Sequence, residues 1–390
     1  MSEQRKHIDG DKVASEVLRS RVVCAVLGAV LAVMALFCWF APKDDFSESE
    51  RRYLRSMPAI TLDSVASGRF MDQFEAYAQD AFPFREAFRR THALANLAFG
   101  RLDGNGVYLA WAEDGSGPYA CSLDYALDEA AVAQTLGKYQ RVYDAYLKDA
   151  DANVFAAVIP DKGYYLATES GRPALDYAAL FAQVEAGMPY AEHVDLTELL
   201  EADSYYRTDT HWRQEAIVPV AEALLSAMLE EREAEAAFEV DPGGFTQHTL
   251  PEPFFGVYVG QSALPLPPDE LVWLENDATR AARAYDAEHG RVILVYDEAF
   301  EFANTLDPYE VFLGGPLSLV TVESPLAATE RELVVFRDSF GSAIAPLMLE
   351  AYAKVTLVDL RYLQPEMLDG LVDFENADVL FLQSTLTINS

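Results

Sequence analysis

Val22 to Ala41 is a run of 20 residues without a charge. As a helix rising about 1.5 Å per residue, it can span the roughly 30 Å hydrocarbon core of a bilayer. No later run is long and apolar enough to span again. Residues 44–100 then read as helical and amphipathic. Phe70, Phe74, Tyr77 and Phe82 recur among charged positions, and Arg85, Arg89 and Arg90 line another side. Gly104-Asn105-Gly106 is a turn opening a strand, Val107–Trp111, and a helical stretch follows over 126–149.

Short continuous apolar runs come next. Val154–Ile159, closed by Pro160-Asp161-Lys162, reads as a buried strand, and so do Leu333–Phe336, Val355–Val358 and Val379–Leu382. Val194–Leu196 reads as a shorter strand, and 214–234 as a helix. Residues 240–330 are rich in Pro, Gly and aromatics, with β-like runs at Val292–Val295 and Leu317–Val322. They read as loops and strands decorating a site. Strands alternating with helices imply an α/β fold: a largely parallel sheet covered on both faces, three layers in all. The expected organisation is a tail (1–21), an anchor (22–41), a helical stalk (42–100) and one domain (101–390) carrying an insertion near 240–330.

Composition narrows the classes. The net charge is −34, from 63 acidic and 29 basic residues. Nucleic acid is not an expected partner, because phosphate binding needs a basic face. Of three cysteines, Cys24 and Cys38 fall in the apolar run, leaving Cys121, so a disulfide scaffold is excluded. Arg19 and Arg21 precede the run and Asp44 and Asp45 follow it, which favours a cytoplasmic N-terminus, although Arg51, Arg52 and Arg55 weaken the contrast. Trp39 suits the outer interface. A cleaved signal peptide is the rival reading, but its apolar region would be unusually long and no small-x-small site follows. The expectation is a single-pass membrane protein whose large C-terminal part is extracytoplasmic.

Two stretches carry chemistry. Phe336-Arg337-Asp338-Ser339-Phe340-Gly341 follows a buried strand and precedes an apolar helix with Ile344, Leu347 and Met348. An α/β enzyme exposes a nucleophilic serine at such a turn, at the carboxyl end of its sheet. Arg207-Thr208-Asp209-Thr210-His211-Trp212 puts a carboxylate and an imidazole two residues apart. Ser339 as nucleophile, His211 as base and Asp209 as its orienting acid make a catalytic triad. Each has a plainer role. Ser339 can cap a helix, Asp209 can close an Asx-turn, and Trp212 can be core rather than a sugar-stacking face. Asp338 reads as a turn cap. Asp209 with His211 is too small a set for a metal, and no phosphate- or dinucleotide-binding glycine loop is present, so neither metal nor cofactor is expected.

These residues resemble the DHHW protein family, relatives of the alginate O-acetyltransferases within the SGNH hydrolase superfamily. The resemblance runs through Phe46–Arg52 and Met57-Pro58, Ser67–Phe70, Asp80–Arg85, Ile159–Lys162, Thr208–Trp212, Phe312–Gly315, Arg337–Gly341 and Asp359–Tyr362. Thr210 stands where the family name implies a second histidine, and the alginate-type relatives tolerate threonine there. The Asp–His block precedes the serine block, the order a circular permutation of an SGNH hydrolase would give.

The resemblance implies a membrane-anchored, extracytoplasmic O-acetyltransferase acting on a cell-surface or secreted polysaccharide. A multi-spanning membrane acyltransferase would supply the acetyl group. A carbohydrate esterase, and a non-catalytic glycan-binding or scaffold protein, stay open beside it. The backbone N–H of Ser339 is the first candidate for an oxyanion hole. At the two strand ends where SGNH enzymes complete the hole with glycine and asparagine, this chain has Arg361 and Gln383, while Gly315 lines the site by analogy only.

Overall fold

A computed structural model describes residues 2–40, 45–47, 49–50, 52–101, 103–230, 241–300, 307–375 and 377–390. The chain forms two compact units, residues 1–48 with 52–92, and residues 49–51 with 93–390.

The first unit opens with helix α1 (Ser2–Phe40). Its segment Glu16–Cys38 is long and apolar enough to cross a membrane, and Val22, Val26, Leu27 and Leu31 lie exposed along it. Ala41, Asp44 and the Trp39 side chain lie outside the described residues. Beyond α1 the expected continuous helix is broken into pieces. Phe46–Ser47 pairs antiparallel with Arg52–Tyr53. A short helix, Leu62–Ala66, starts at the side-chain cap of Thr61. Gly68, at φ +81°, then turns the chain into α2 (Arg69–Asp80), and Pro83 separates that from α3 (Arg85–Ala98). Proline and a left-handed glycine end helices that the amphipathic pattern alone would join.

The second unit is built on an eight-stranded sheet. Its strands in chain order are β1 (Asn153–Ile159), β2 (Glu192–His193), β3 (Arg283–Asp286), β4 (Arg291–Ile293), β5 (Leu319–Glu323), β6 (Glu332–Arg337), β7 (Lys354–Val358) and β8 (Ala377–Ser384). Their spatial order is β4-β3-β5-β7-β6-β8-β1-β2. The pairs from β7 to β2 are all parallel. Side chains alternate across β6. Leu333 and Val335 join one core with Val220, Leu224 and Met228 of helix α6 (Val218–Glu230). Val334 and Phe336 join another with Val132 and Tyr139 of helix α4 (Glu129–Val142), and Leu180 and Val184 of α5 (Tyr177–Gly187). A strand buried on both faces needs apolar residues at every position, which is why its sequence is a run rather than an alternation.

Four features depart from the expected pattern. The runs assigned to decoration belong to the sheet: β5 pairs antiparallel with β7, and the β3–β4 hairpin extends that edge. β3 alternates exposed Arg283 and Tyr285 with buried Ala284 and Asp286, the pattern of an antiparallel strand with one face in solvent. The short strand after α5 ends at His193, although the Val194 amide still reaches the Ala156 carbonyl at 2.9 Å. The helix after Ser339 is only Gly341–Ile344, continuing as a 3₁₀ turn, Ala345–Met348, where Pro346 supplies no N–H. The helix expected over 214–234 begins as a 3₁₀ turn, Gln214–Ala216, before α6, and 231–234 lie outside the described residues.

Candidate active site

β6 delivers the chain to a sharp turn at the carboxyl edge of the sheet, Asp338-Ser339-Phe340. Asp338 is buried and ties the turn down. Its Oδ1 accepts the Phe340 amide at 3.0 Å, and its Oδ2 accepts the Ser384 amide at 2.9 Å and the Ser384 hydroxyl at 2.7 Å. The turn is therefore clamped to the end of β8, and Asp338 does more than cap. Between buried Asp338 and Phe340, Ser339 alone stays half-exposed.

The Ser339 hydroxyl meets His211 rather than capping the helix. Ser339 Oγ lies 2.8 Å from His211 Nε2, and His211 Nδ1 lies 2.6 Å from Asp209 Oδ1. An ionised carboxylate only accepts, so Nδ1 carries the proton and Nε2 is left to accept from the serine. The same Oδ1 accepts the His211 amide at 3.1 Å, so the Asx-turn reading of Asp209 holds together with its ring contact. Asp209 Oδ2 accepts the Val257 amide at 2.8 Å, from the start of helix α7 (Val257–Ser262). Asp209 is 1% and His211 8% exposed, so both are held in a dry setting where a misplaced dipole would not be offset by water.

The Asp–His segment is pinned from several sides. Asp269 accepts the amides of Arg207 and Thr208 at 2.9 and 2.8 Å. The Tyr206 amide donates to the His211 carbonyl at 3.1 Å. Buried Lys162, from the proline–lysine turn after β1, donates to the Tyr206 carbonyl at 2.8 Å, and burial pulls its ammonium below the usual lysine range. Gly256 approaches so closely that a Cβ there would overlap the backbone of Thr208 and Asp209.

Trp212 has no exposure, and its indole N–H donates to the Phe340 carbonyl at 3.1 Å. It props the serine turn from beneath, and a fully buried ring has no face to offer a sugar. Of the aromatics at 251–258, Phe254 and Tyr258 are also buried, while Phe255 is exposed.

Sequence reasoning missed Tyr309. Its ring stacks on the His211 imidazole with centroids 3.8 Å apart and planes 10° from parallel. Burial pushes its phenol well above the usual tyrosine range. One tyrosine in an aromatic-rich stretch carries no local mark of such a contact.

The remaining candidates are placed apart from the Ser339 hydroxyl contact. The Gln383 side-chain oxygen accepts from the Tyr139 hydroxyl of α4. Arg361 grips buried Asp359 through Nε and Nη2 at 2.7–3.2 Å. Both line a cavity that touches none of Asp209, His211 and Ser339. Gly315 occupies a left-handed turn (φ +86°), where a Cβ would press on the Glu310 side chain. Among the described residues, no group of three or more His, Cys, Asp or Glu side chains gathers at metal-ligand spacing.

The serine turn at the end of a parallel strand is thus faced by a His–Asp pair in an α/β/α sandwich. Two solved structures share the fold, and a third aligns more loosely. A DHHW family protein from Eubacterium siraeum aligns over 74% of this chain and 93% of its own, with 21% identity and a TM-score of 0.55. PatB1 of Bacillus cereus, solved with a sulfonyl adduct, aligns over 72% of this chain and 96% of its own, with 16% identity and a TM-score of 0.55. The O-acetyltransferase domain of Pseudomonas putida AlgJ aligns over 71% and 90%, with 16% identity and a TM-score of 0.42. No family model and no curated protein matches the sequence.

Proposed function

We propose that this protein is a membrane-anchored, extracytoplasmic acyl-transfer enzyme, an O-acetyltransferase that modifies a cell-surface or secreted polysaccharide. The observation that carries the reading is one imidazole joined to Asp209 at one nitrogen and to Ser339 at the other, at 2.6 and 2.8 Å. The likeness of the sequence blocks to the DHHW family, and the shared fold, support it further.

The chemistry follows from that contact. Ser339 Oγ attacks an acetyl carbonyl while its proton passes to His211 Nε2. The imidazolium, stabilised by Asp209, returns the proton to the departing group, leaving an acetyl ester on Ser339. A sugar hydroxyl then loses its proton to His211 and attacks that ester, and the proton returns to Ser339 Oγ as the acetylated sugar leaves. Water in place of the sugar gives an esterase.

Transfer and hydrolysis separate in one assay. The protein is given a chromogenic acetyl ester and a panel of oligosaccharides, and the products are weighed by mass spectrometry. Acetyl mass on a sugar, with less free acetate, is the expected result. Acetate released equally with and without every acceptor makes the protein an esterase. The different engagements of Gln383 and Arg361 favour the non-catalytic alternative, a protein that binds glycan on an inherited fold.

The anchor carries its own expectation. In cells stripped of any outer barrier, added protease should digest the part of the chain beyond α1. Survival of that part would reverse the orientation, and a soluble mature form beginning near Lys43 would mean a cleaved signal.

A further inference from the structure

The cavity that Gln383 and Arg361 line has a chemistry of its own. It measures about 80 Å³ and is lined by Lys138, Arg361, Gln134, Gln383 and the hydroxyls of Thr135 and Thr387, among others. It lies at the carboxyl ends of β7 and β8, the two strands that flank β6. Open α/β sheets take their ligands in crevices at that edge.

Three of the lining side chains, Lys138, Arg361 and Gln383, offer donors. Lys138 Nζ makes one contact, to the Leu360 carbonyl at 3.0 Å, and an ammonium has three donors. Arg361 uses Nε and Nη2 on Asp359, which leaves Nη1. Gln383 is 4% exposed, and its oxygen is taken by the Tyr139 hydroxyl, so its amide nitrogen is the group left to donate. Among the described residues no Asp or Glu side chain lines the space, in a chain with a net charge of −34. Asp359, the residue after β7, pairs with Arg361, and among the described residues no side-chain carboxylate lies within ion-pair distance of Lys138.

We infer that this cavity is a binding site for a small oxyanion, a carboxylate or a phosphate, held by Lys138, Arg361 Nη1 and the Gln383 amide. Charge-assisted bonds to such groups are the strong kind. The volume is room for a small ion with some of its water. Gln383 immediately precedes Ser384, whose amide and hydroxyl hold Asp338 at 2.9 and 2.7 Å. An ion at Gln383 therefore sits one residue from the clamp that fixes the serine turn. The site does not depend on the acyl-transfer reading, since a protein inert at Ser339 can still bind an anion here.

The test is titration calorimetry of the full chain in detergent micelles with sodium acetate and with inorganic phosphate, against chloride at matched ionic strength. Saturable binding of one or both is expected, and which ion saturates tells carboxylate from phosphate. Lys138→Gln, a change at a half-exposed position, should weaken it by at least about tenfold, the cost of one charge-assisted bond. Gln383→Leu should weaken it as well, with thermal melting as the check on folding. No saturable heat beyond chloride with either ion overturns the proposal. So does unchanged affinity in Lys138→Gln.

Discussion

Ser339→Ala is expected to abolish turnover of an acetyl ester, and with it covalent labelling by a sulfonyl fluoride. His211→Ala should do the same to turnover. The loss in kcat should be about a million-fold, the scale on which serine–histidine sets fail when either member goes. The reason is geometric. With Oγ and Nε2 2.8 Å apart, neither group activates the reaction without the other. The double substitution should therefore be little worse than either single one. The 3.1 Å bond from Trp212 to the Phe340 carbonyl is independent of both side chains, so the turn should keep its shape and the variants should melt like the parent. Wild type and Ser339→Ala equally inert toward ester and probe would make the glycan-binding reading the better one.

Asp209→Asn should cost about 10⁴-fold in kcat with little change in fold, as the loss of the correct imidazole tautomer does elsewhere. Two backbone amides sharpen the expectation. Val257 donates to Oδ2 at 2.8 Å and His211 donates to Oδ1 at 3.1 Å, so both carboxylate oxygens are claimed by N–H groups. A carboxamide has one acceptor end and one donor end. If its NH₂ turns toward His211, Nδ1 becomes the acceptor and the ring proton moves to Nε2, where it blocks the serine. If its NH₂ turns toward Val257, two donors face each other in a buried place. The check is the rate with the ester substrate, together with imidazole nitrogen shifts from NMR. A rate within tenfold of wild type would remove Asp209 from the mechanism.

The central sheet was legible because its strands are covered on both faces. Leu333–Phe336, Val154–Ile159, Val355–Val358 and Val379–Leu382 are unbroken apolar runs, and all four lie in parallel-paired strands. The pairing of Asp209 and His211 was legible because it is local. The antiparallel strands at the β4 side were not, since β3 buries only every second side chain and β4 is three residues long. Tyr309 escaped because ring stacking on a histidine 98 positions earlier leaves no periodicity to read. Whether Trp212 is core or a sugar face is decided only by burial, which the local sequence does not carry. The partners of Gln383 and Arg361 lie on α4 and beneath β7, and strand-end position says nothing of which face a side chain takes.

The clamp on the serine turn bears on when the site can exist during the life of the chain. Asp338 is satisfied by Ser384, and β6 is sandwiched between β7 and β8, so the turn is stabilised by a segment made 46 residues after it. The base it meets was made 128 residues before it. A ribosome that has already released Asp209, His211 and Ser339 still holds back the strand that locks them together. A chain that has not yet reached residue 384, or one later trimmed there, carries all three side chains and lacks the clasp. On the proposed mechanism, the serine turn is held in place only once β8 has docked.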